Sequence, residues 1–217
     1  MSATEIIPLI VPLGDRGLLV RFGDSLSKAA NDAAVSFART AEAAALQGVT
    51  EVVANLVSVL LNYAPENVSF DRLAGEVRLL VSGPVTLAGE TAQHRVPAQF
   101  DGEDIAEVAL SLGLTAAAFI EAHNSAPLKV LATGFAPGFL YCGFHPKPLH
   151  VPRRAEVRRQ VPPGTVLFAA GQTAITSTPI PTGWHVIGHT AFRNFTPGDL
   201  PPTTVRAGDA IQFEVAW

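Results

Sequence analysis

After Lys129 the chain is cut by glycine or proline turns about every ten residues, and short β-prone runs lie between them. The runs are "KVLAT", "TVLFAAG", "TAITST", "HVIGH" and "AIQFEVAW". None is long enough for a helix that buries a face. Such runs can hide their apolar side chains only by pairing sideways into a sheet that closes or folds over on itself. This half of the sequence therefore specifies β structure with many tight turns.

The first ninety residues read differently. "PLIVPLGDRGLLVRFG" has two extended pieces around a Gly14-Asp15 turn. "SLSKAANDAAVSFARTAEAAAL" is alanine-rich without Gly or Pro, and reads as a helix capped by Asp24 or Ser25. "EVVANL" and "SVLLNYA" have strand length and strand composition, and "FDRLAGEVRLLVS" follows Ser69 as a second capped helix. With "HRVPAQF" as a last strand, the order is β-α-β-β-α-β, a split βαβ sandwich. Two helical segments, "EDIAEVALSLG" and "TAAAFIEAHN", bridge into the β-rich part. The expectation is an α+β protein with an α/β domain at 1–90 and a β domain at 91–217.

Composition narrows the function classes. With 48% hydrophobic residues the chain can fill a core. A net charge of −4 argues against general nucleic-acid binding, which needs a basic face. Cys142 is the only cysteine, so no internal disulfide forms, which suits a reducing compartment. The N-terminal stretch lacks a basic region and is broken by Pro8 and Pro12, unlike a leader or anchor. No apolar run approaches the roughly 20 residues of a membrane span. A cytoplasmic protein with no membrane partner is expected.

The densest motif is "ATGFAPGFLYCGF", with three glycines, one proline and four aromatic rings in thirteen residues. It lacks the Gly-Lys-Ser/Thr of a phosphate loop and the G-x-G-x-x-G of a dinucleotide loop. It reads as a turn packed by Phe135, Phe139 and Tyr141, or as a pocket wall shaped by Gly134, Pro137 and Gly138. His185 and His189 flank strand-like residues. Four residues of strand span about 13 Å, too far for two rings to share one ion. No metal site is expected. Cys142 reads as a small buried hydrophobe rather than a nucleophile.

Residues 145–164 hold Lys147, Arg153, Arg154, Arg158 and Arg159 against Glu156 alone. This is either a solvated face or a site for carboxylate or phosphate. Gln172 and Thr173, straight after Gly171, can orient a small polar ligand or simply bond within a turn. Trp184 can cover a pocket or seal the sheet. No general acid or base stands out, so the catalytic residues stay unassigned.

Taken in order, "PLGDRGLLVRFGD", "GFAPGFLYCGF", "VPRRAEVRRQVPPGTV", "AAGQTAIT", "GWHVIGHT" and "RAGDAIQFEV" resemble the KipI/PxpB family, also labelled allophanate hydrolase subunit 1. The resemblance implies a cyclophilin-like β-barrel as the second domain. It implies a subunit of an ATP-dependent 5-oxoprolinase that opens 5-oxo-L-proline to L-glutamate. Its partners would be a PxpC/KipA-like sister subunit and a PxpA-like protein. ATP with magnesium would act at the level of the complex, with no tightly bound cofactor on this chain. Other family members imply a urea or allophanate system, or an inhibitor of a histidine kinase. The implied substrate or anion site comprises Gly134, Phe135, Pro137, Gly138, Arg153, Arg158, Gln172, Thr173, Trp184 and His189. Arg153 and Arg158 would clamp an anion, Gln172 and Thr173 would orient the amide, and the N–H groups of 134–138 would stabilise negative charge. His189, Thr182 and Val157 stand where the family usually has arginine, glycine and proline.

Overall fold

The computed structural model describes residues 7–83 and 91–216. The boundary expected near residue 90 and the first residues of the N-terminal stretch lie outside them. The chain divides into two compact units, Met1–Glu90 and Thr91–Trp217.

The first unit opens with a hairpin, β1 (Leu9–Leu13) and β2 (Gly17–Arg21), turning at Gly14 with φ +66°. Helix α1 (Lys28–Ala44) follows. Its cap is Ser27, whose Oγ accepts from the Ala30 N–H, and not Asp24 or Ser25. Strands β3 (Val49–Ala54) and β4 (Ser58–Tyr63) precede α2 (Phe70–Ser82), which Ser69 caps as expected. The sheet is antiparallel throughout, in the order β1-β2-β4-β3. Strand β4 lies between β2 and β3, so β2-α1-β3 is a split βαβ unit. Alternation sends Leu18, Val20, Val59, Leu61 and Tyr63 into one core with Phe37, Leu73 and Val77 of the helices. The sixth element expected in this unit is absent from it: the edge of the sheet is filled by β1.

That sixth element is β5 (Gln93–Ala98), and it belongs to the second unit. It is followed by α3 (Ile105–Ser111), α4 (Ala116–His123), β6 (Leu128–Thr133) and β7 (Leu140–Gly143). After a short 3-10 turn come β8 (Arg158–Val161), β9 (Thr165–Ala169), β10 (Gln172–Ile175), β11 (Ile180–Thr182), β12 (His185–His189) and β13 (Ala210–Val215). Seven strands form one sheet in the order β12-β9-β10-β7-β6-β13-β5. Only β5 on β13 is parallel. Strands β8 and β11 pair separately.

The second unit is a curled, half-barrel sheet. The seven-stranded sheet curls until its two edges meet, but the described residues join them at one bridge, Gln99 to His189. The two backbone bonds there are 2.9 and 2.8 Å. Inside the curl lie Val130, Leu140, Cys142, Val166, Phe168, Ile175 and Phe213, closed by Val108 and Phe119 of the helices. On the other face Phe139, Leu167, Ala169, Ala174 and Trp184 form a smaller cluster with Val161 and Ile180 of the two-stranded sheet. Among the described residues no single helix is long and apolar enough to cross a membrane.

Candidate functional site

The glycine–proline turn joins β6 to β7. Gly138 has φ +70°, and a Cβ there would sit 2.6 Å from Cβ of Phe195 and 2.8 Å from Ser177. Only glycine fits. Ser177 Oγ donates to the Gly138 carbonyl at 3.0 Å and accepts from the Asn194 N–H at 2.9 Å, which ties the turn down. The aromatic residues divide between two tasks. Phe139 is buried, whereas Phe135 is 73% exposed and holds φ +76°, a strained value for a side chain with a Cβ. Pro137 is exposed beside it. The Gly134 N–H donates to the Phe139 carbonyl at 3.0 Å, and the Phe139 N–H to Ala136 at 3.0 Å. Those donors are spent inside the turn. This corrects the expectation that Gly134 offers its N–H to developing negative charge.

A line of rings runs from this turn across the sheet. Phe135 meets Phe139 edge-on at 5.5 Å, Phe139 meets Tyr141 at 4.7 Å, and Tyr141 meets Trp184 at 6.1 Å. The Arg153 guanidinium lies 5.8 Å from the centre of the Trp184 ring. Burial raises the pKa of Tyr141, and the Arg153 charge partly opposes that. Arg153 has no carboxylate partner among the described residues.

Arg158 is different, and its anion-clamp role is corrected. Its Nη1 and Nη2 donate to the two oxygens of Asp104 at 2.7 and 2.8 Å, and Nε meets Glu103 at 2.8 Å. Arg154 Nη1 adds a bond of 2.6 Å to Asp104, and the Val186 N–H another of 2.7 Å. Burial by itself would raise the Asp104 pKa, but the Arg158 and Val186 hydrogen bonds outweigh it and hold the carboxyl below its usual range. Two of the cluster's arginines thus brace α3 against the segment before β8 and the start of β12.

Gln172 and Thr173 are consecutive on β10, so they face opposite sides of the sheet. Gln172 shares the side of Ala174, whose partner across the strands is Tyr141. Its Oε1 is buried without a hydrogen-bond partner among the described residues. Thr173 is fully buried, and its hydroxyl contacts His123 Nε2 at 2.7 Å and His145 Nε2 at 2.8 Å. It is closed to any substrate, which corrects its expected role. Burial lowers the His123 pKa to about 4. Burial, with the neighbouring His123 and His150, lowers that of His145 to about 3. Neither histidine stood out in the sequence: no spacing links positions 123 and 145. The one available signal is a histidine ending a helix whose other residues are apolar except Glu121.

His189 does not join the arginines. Its Nδ1 pairs with Asp101 at 2.7 Å in an exposed position, and its backbone carries the bridge to Gln99. His185 is buried, and its Nε2 donates to the Pro152 carbonyl at 3.0 Å. Cys142 is sealed in the core, where burial pushes its thiol up to about 12. A cavity of about 380 Å³ opens between α3 and residues 152–156. Its wall includes Glu107, Ser111, Arg153, Arg154, Glu156 and His185. Arg154 Nε and His185 Nδ1 are both buried without partners among the described residues. Arg153 therefore stands both at this cavity and against Trp184.

Residues 8–205 match the family model described as "Carboxyltransferase domain, subdomain C and D". A relative from Escherichia coli O157:H7, named as a 5-oxoprolinase subunit, is 42% identical over 112 residues, 52% of this chain and 51% of that protein. Another of the same name, from Bacillus subtilis (strain 168), is 29% identical over 228 residues, covering 94% of this chain and 91% of that protein. The crystal structure of TTHA0988 superposes with a TM-score of 0.83 at 34% identity, covering 93% of this chain and 40% of that one. The chain thus spans about half the length of the Escherichia coli relative and less than half of the solved protein.

Proposed function

The chain belongs to the carboxyltransferase domain, subdomain C and D family, and from that premise we propose that it is the PxpB-type subunit of an ATP-dependent 5-oxoprolinase. The names of the Escherichia coli and Bacillus subtilis relatives support this reading. The reaction opens the lactam of 5-oxo-L-proline to L-glutamate. An unstrained amide resists water, and phosphorylation of its oxygen by ATP with magnesium turns that oxygen into part of a leaving group. The chain works with a PxpC/KipA-like sister subunit and a PxpA-like protein, and is inactive alone.

One observation carries the assignment of the site: Arg153, which has no carboxylate partner among the described residues, holds its guanidinium against Trp184 at the mouth of a cavity large enough for a small ligand. A planar cation held in this way matches a carboxylate. Arg153 binds the carboxylate of the substrate. Gln172, unpartnered at Oε1 on the same face, turns its carboxamide to the lactam. Trp184 and Tyr141 wall the ring, and the turn at Phe135, Pro137 and Gly138 forms the rim. Arg158 and Thr173 act from behind, as supports.

The test is glutamate release from 5-oxo-L-proline and ATP by the two partner proteins, with and without this chain. Release must depend on the chain and fall at least tenfold in kcat/KM with Arg153→Ala, as loss of a charge-assisted hydrogen bond requires. Release without the chain overturns the reading. Full activity of Arg153→Ala overturns the site.

A further inference from the structure

Arg154 uses only one of its donors to brace Asp104, the Nη1 bond of 2.6 Å. The side-on edge of its guanidinium, Nε with Nη2, has no partner among the described residues, and Nε is buried. His185 complements it. Its Nε2 faces the Pro152 carbonyl at 3.0 Å, and a carbonyl only accepts, so Nε2 carries the proton. The neutral ring then holds a lone pair at Nδ1, again buried without a partner among the described residues. The residue is 8% exposed. Both side chains belong to the wall of the cavity of about 380 Å³ beside α3. Buried polar groups are nearly always bonded, so a donor edge and an acceptor left open in one cavity wall mark a place for a polar ligand.

The same wall carries two carboxylates. Glu107 lies on α3 and Glu156 on the segment before β8, and both are exposed. Neither has a hydrogen-bond or ion-pair partner among the described residues. Glu103 pairs with Arg158, and Asp104 with Arg154 and Arg158, so those four charges cancel among themselves. What remains is Glu107, Glu156 and the guanidinium of Arg153 at the mouth. This combination selects by chemistry. A phosphate group would meet two like charges. An amine alone leaves the Arg154 edge empty, and a carboxylate alone leaves both glutamates unmatched. An α-amino acid carries a carboxylate and an ammonium on one carbon and uses both. Its ammonium has three N–H donors, and the wall offers Glu107, Glu156 and His185 Nδ1 as acceptors. A second carboxylate, on the side chain, matches Arg153.

We propose that this cavity binds a free acidic α-amino acid, with its α-carboxylate on the Nε–Nη2 edge of Arg154, its ammonium on Glu107, Glu156 and His185, and its side-chain carboxylate on Arg153. Opening a lactam turns an uncharged amide nitrogen into an ammonium. The amino acid is therefore the product, L-glutamate, an identification that rests on the amide-opening reading above. Because Arg153 serves both ligands, bound L-glutamate competes with the substrate.

Calorimetric titration of the full chain tests the pocket without turnover. Two probes each lack one group: glycine has no side-chain carboxylate, and N-acetyl-L-glutamate has no ammonium. Wild type should bind L-glutamate about tenfold or more tightly than either, as loss of a charge-assisted hydrogen bond requires. The double variant Glu107→Gln, Glu156→Gln should lose about tenfold or more in that affinity. Its thermal midpoint should not move, because both side chains are exposed. In the assembled complex, L-glutamate should raise KM for 5-oxo-L-proline and leave kcat unchanged. The double variant should keep wild-type kcat/KM while that inhibition weakens. No binding of L-glutamate, equal binding of either probe, or wild-type affinity in the double variant overturns the proposal. So does a working complex in which L-glutamate does not compete. If the complex releases no glutamate while the chain alone binds L-glutamate in this order of affinities, the reaction reading fails and the pocket stands.

Discussion

Asp104 and Arg158 are joined by a two-toothed fork, each carboxylate oxygen taking one guanidinium nitrogen at 2.7 or 2.8 Å. The carboxylate side chain is 5% exposed and the arginine 20%. The pair links the start of α3 to β8, elements more than fifty positions apart in sequence. Arg158 is thereby a structural residue of the site and not its ligand.

Arg158→Ala should destabilise the chain by about 2–4 kcal/mol, because it strips two bonds from a carboxylate that remains buried. Arg154 and the Val186 N–H still hold Asp104, which keeps the loss at the lower end of that range. A urea midpoint measures it. Replacement of the pair by a similarly sized apolar pair should be far milder. A midpoint unchanged in Arg158→Ala would show that the fork contributes nothing.

Arg153 should behave in the opposite way. It is exposed, and its guanidinium contacts Trp184 without a carboxylate. Arg153→Ala should leave the thermal midpoint in place while raising KM of the complex about tenfold or more. Arg153→Lys should recover only part, since an ammonium keeps the charge and loses the planar fork. Loss of stability with normal kinetics would reverse the assignments of Arg153 and Arg158.

In the turn between β6 and β7, Gly138 and Phe135 both sit at positive φ but have opposite tolerances. Gly138→Ala should cost more than about 1 kcal/mol, because it adds backbone strain to a collision with Phe195 and Ser177. Phe135→Gly relieves the strain at φ +76° and removes an exposed ring, so stability should hold or rise by about 1 kcal/mol. If that variant also loses complex assembly or activity, the strain is retained for function. Calorimetry of both variants beside the turnover assay separates these effects.

Acid should destabilise the second unit through its buried imidazoles. The folded-state pKa of His123 is about 4 and that of His145 about 3, both below the ordinary 6.5. Below pH 6.5 the unfolded chain takes up protons that the folded chain refuses, so stability falls as pH falls from 6.5 toward about 4. Above 6.5 the two groups add no pH dependence. The loss from His123 alone is of the order of 3 kcal/mol across that window, at 1.36 kcal/mol per unit. Urea midpoints at pH 7, 6, 5 and 4.5 follow it, and His123→Phe should flatten the curve. Lowering of the Asp104 pKa adds a loss of the same sign, but only below about pH 4, where the unfolded chain's carboxyl takes up a proton that the folded one refuses.

Much of the fold was legible because local rules wrote it. The alanine-rich stretch without Gly or Pro became α1, Ser69 capped α2, and the five turn-punctuated runs after Lys129 became β6, β9, β10, β12 and β13. The cap of α1 moved from Asp24 or Ser25 to Ser27 because a serine must reach the N–H three residues on, and only the true start of the helix decides which serine does. The strand in "HRVPAQF" was legible as a strand, yet its partner was not. It pairs parallel with β13, over a hundred residues away, and no periodicity within seven residues encodes that choice.

The site divides in the same manner. Sequence alone identified which residue types to consider: the arginines, Gln172, Trp184 and the glycine turn. Tertiary structure decided what each one does. Arg153 and Arg158 are chemically identical, and only the arrival of Asp104, at the start of α3, neutralises one and leaves the other without a carboxylate among the described residues. Thr173 and Gln172 are neighbours in the chain, and the pleat sends them to opposite faces. His123 and His145 carry no signal in sequence, and become a hydrogen-bonded unit only when β10 brings a hydroxyl between them. Local propensity is a property of adjacent residues, whereas ion pairing, burial and hydrogen-bond direction depend on groups that folding brings together from distant positions.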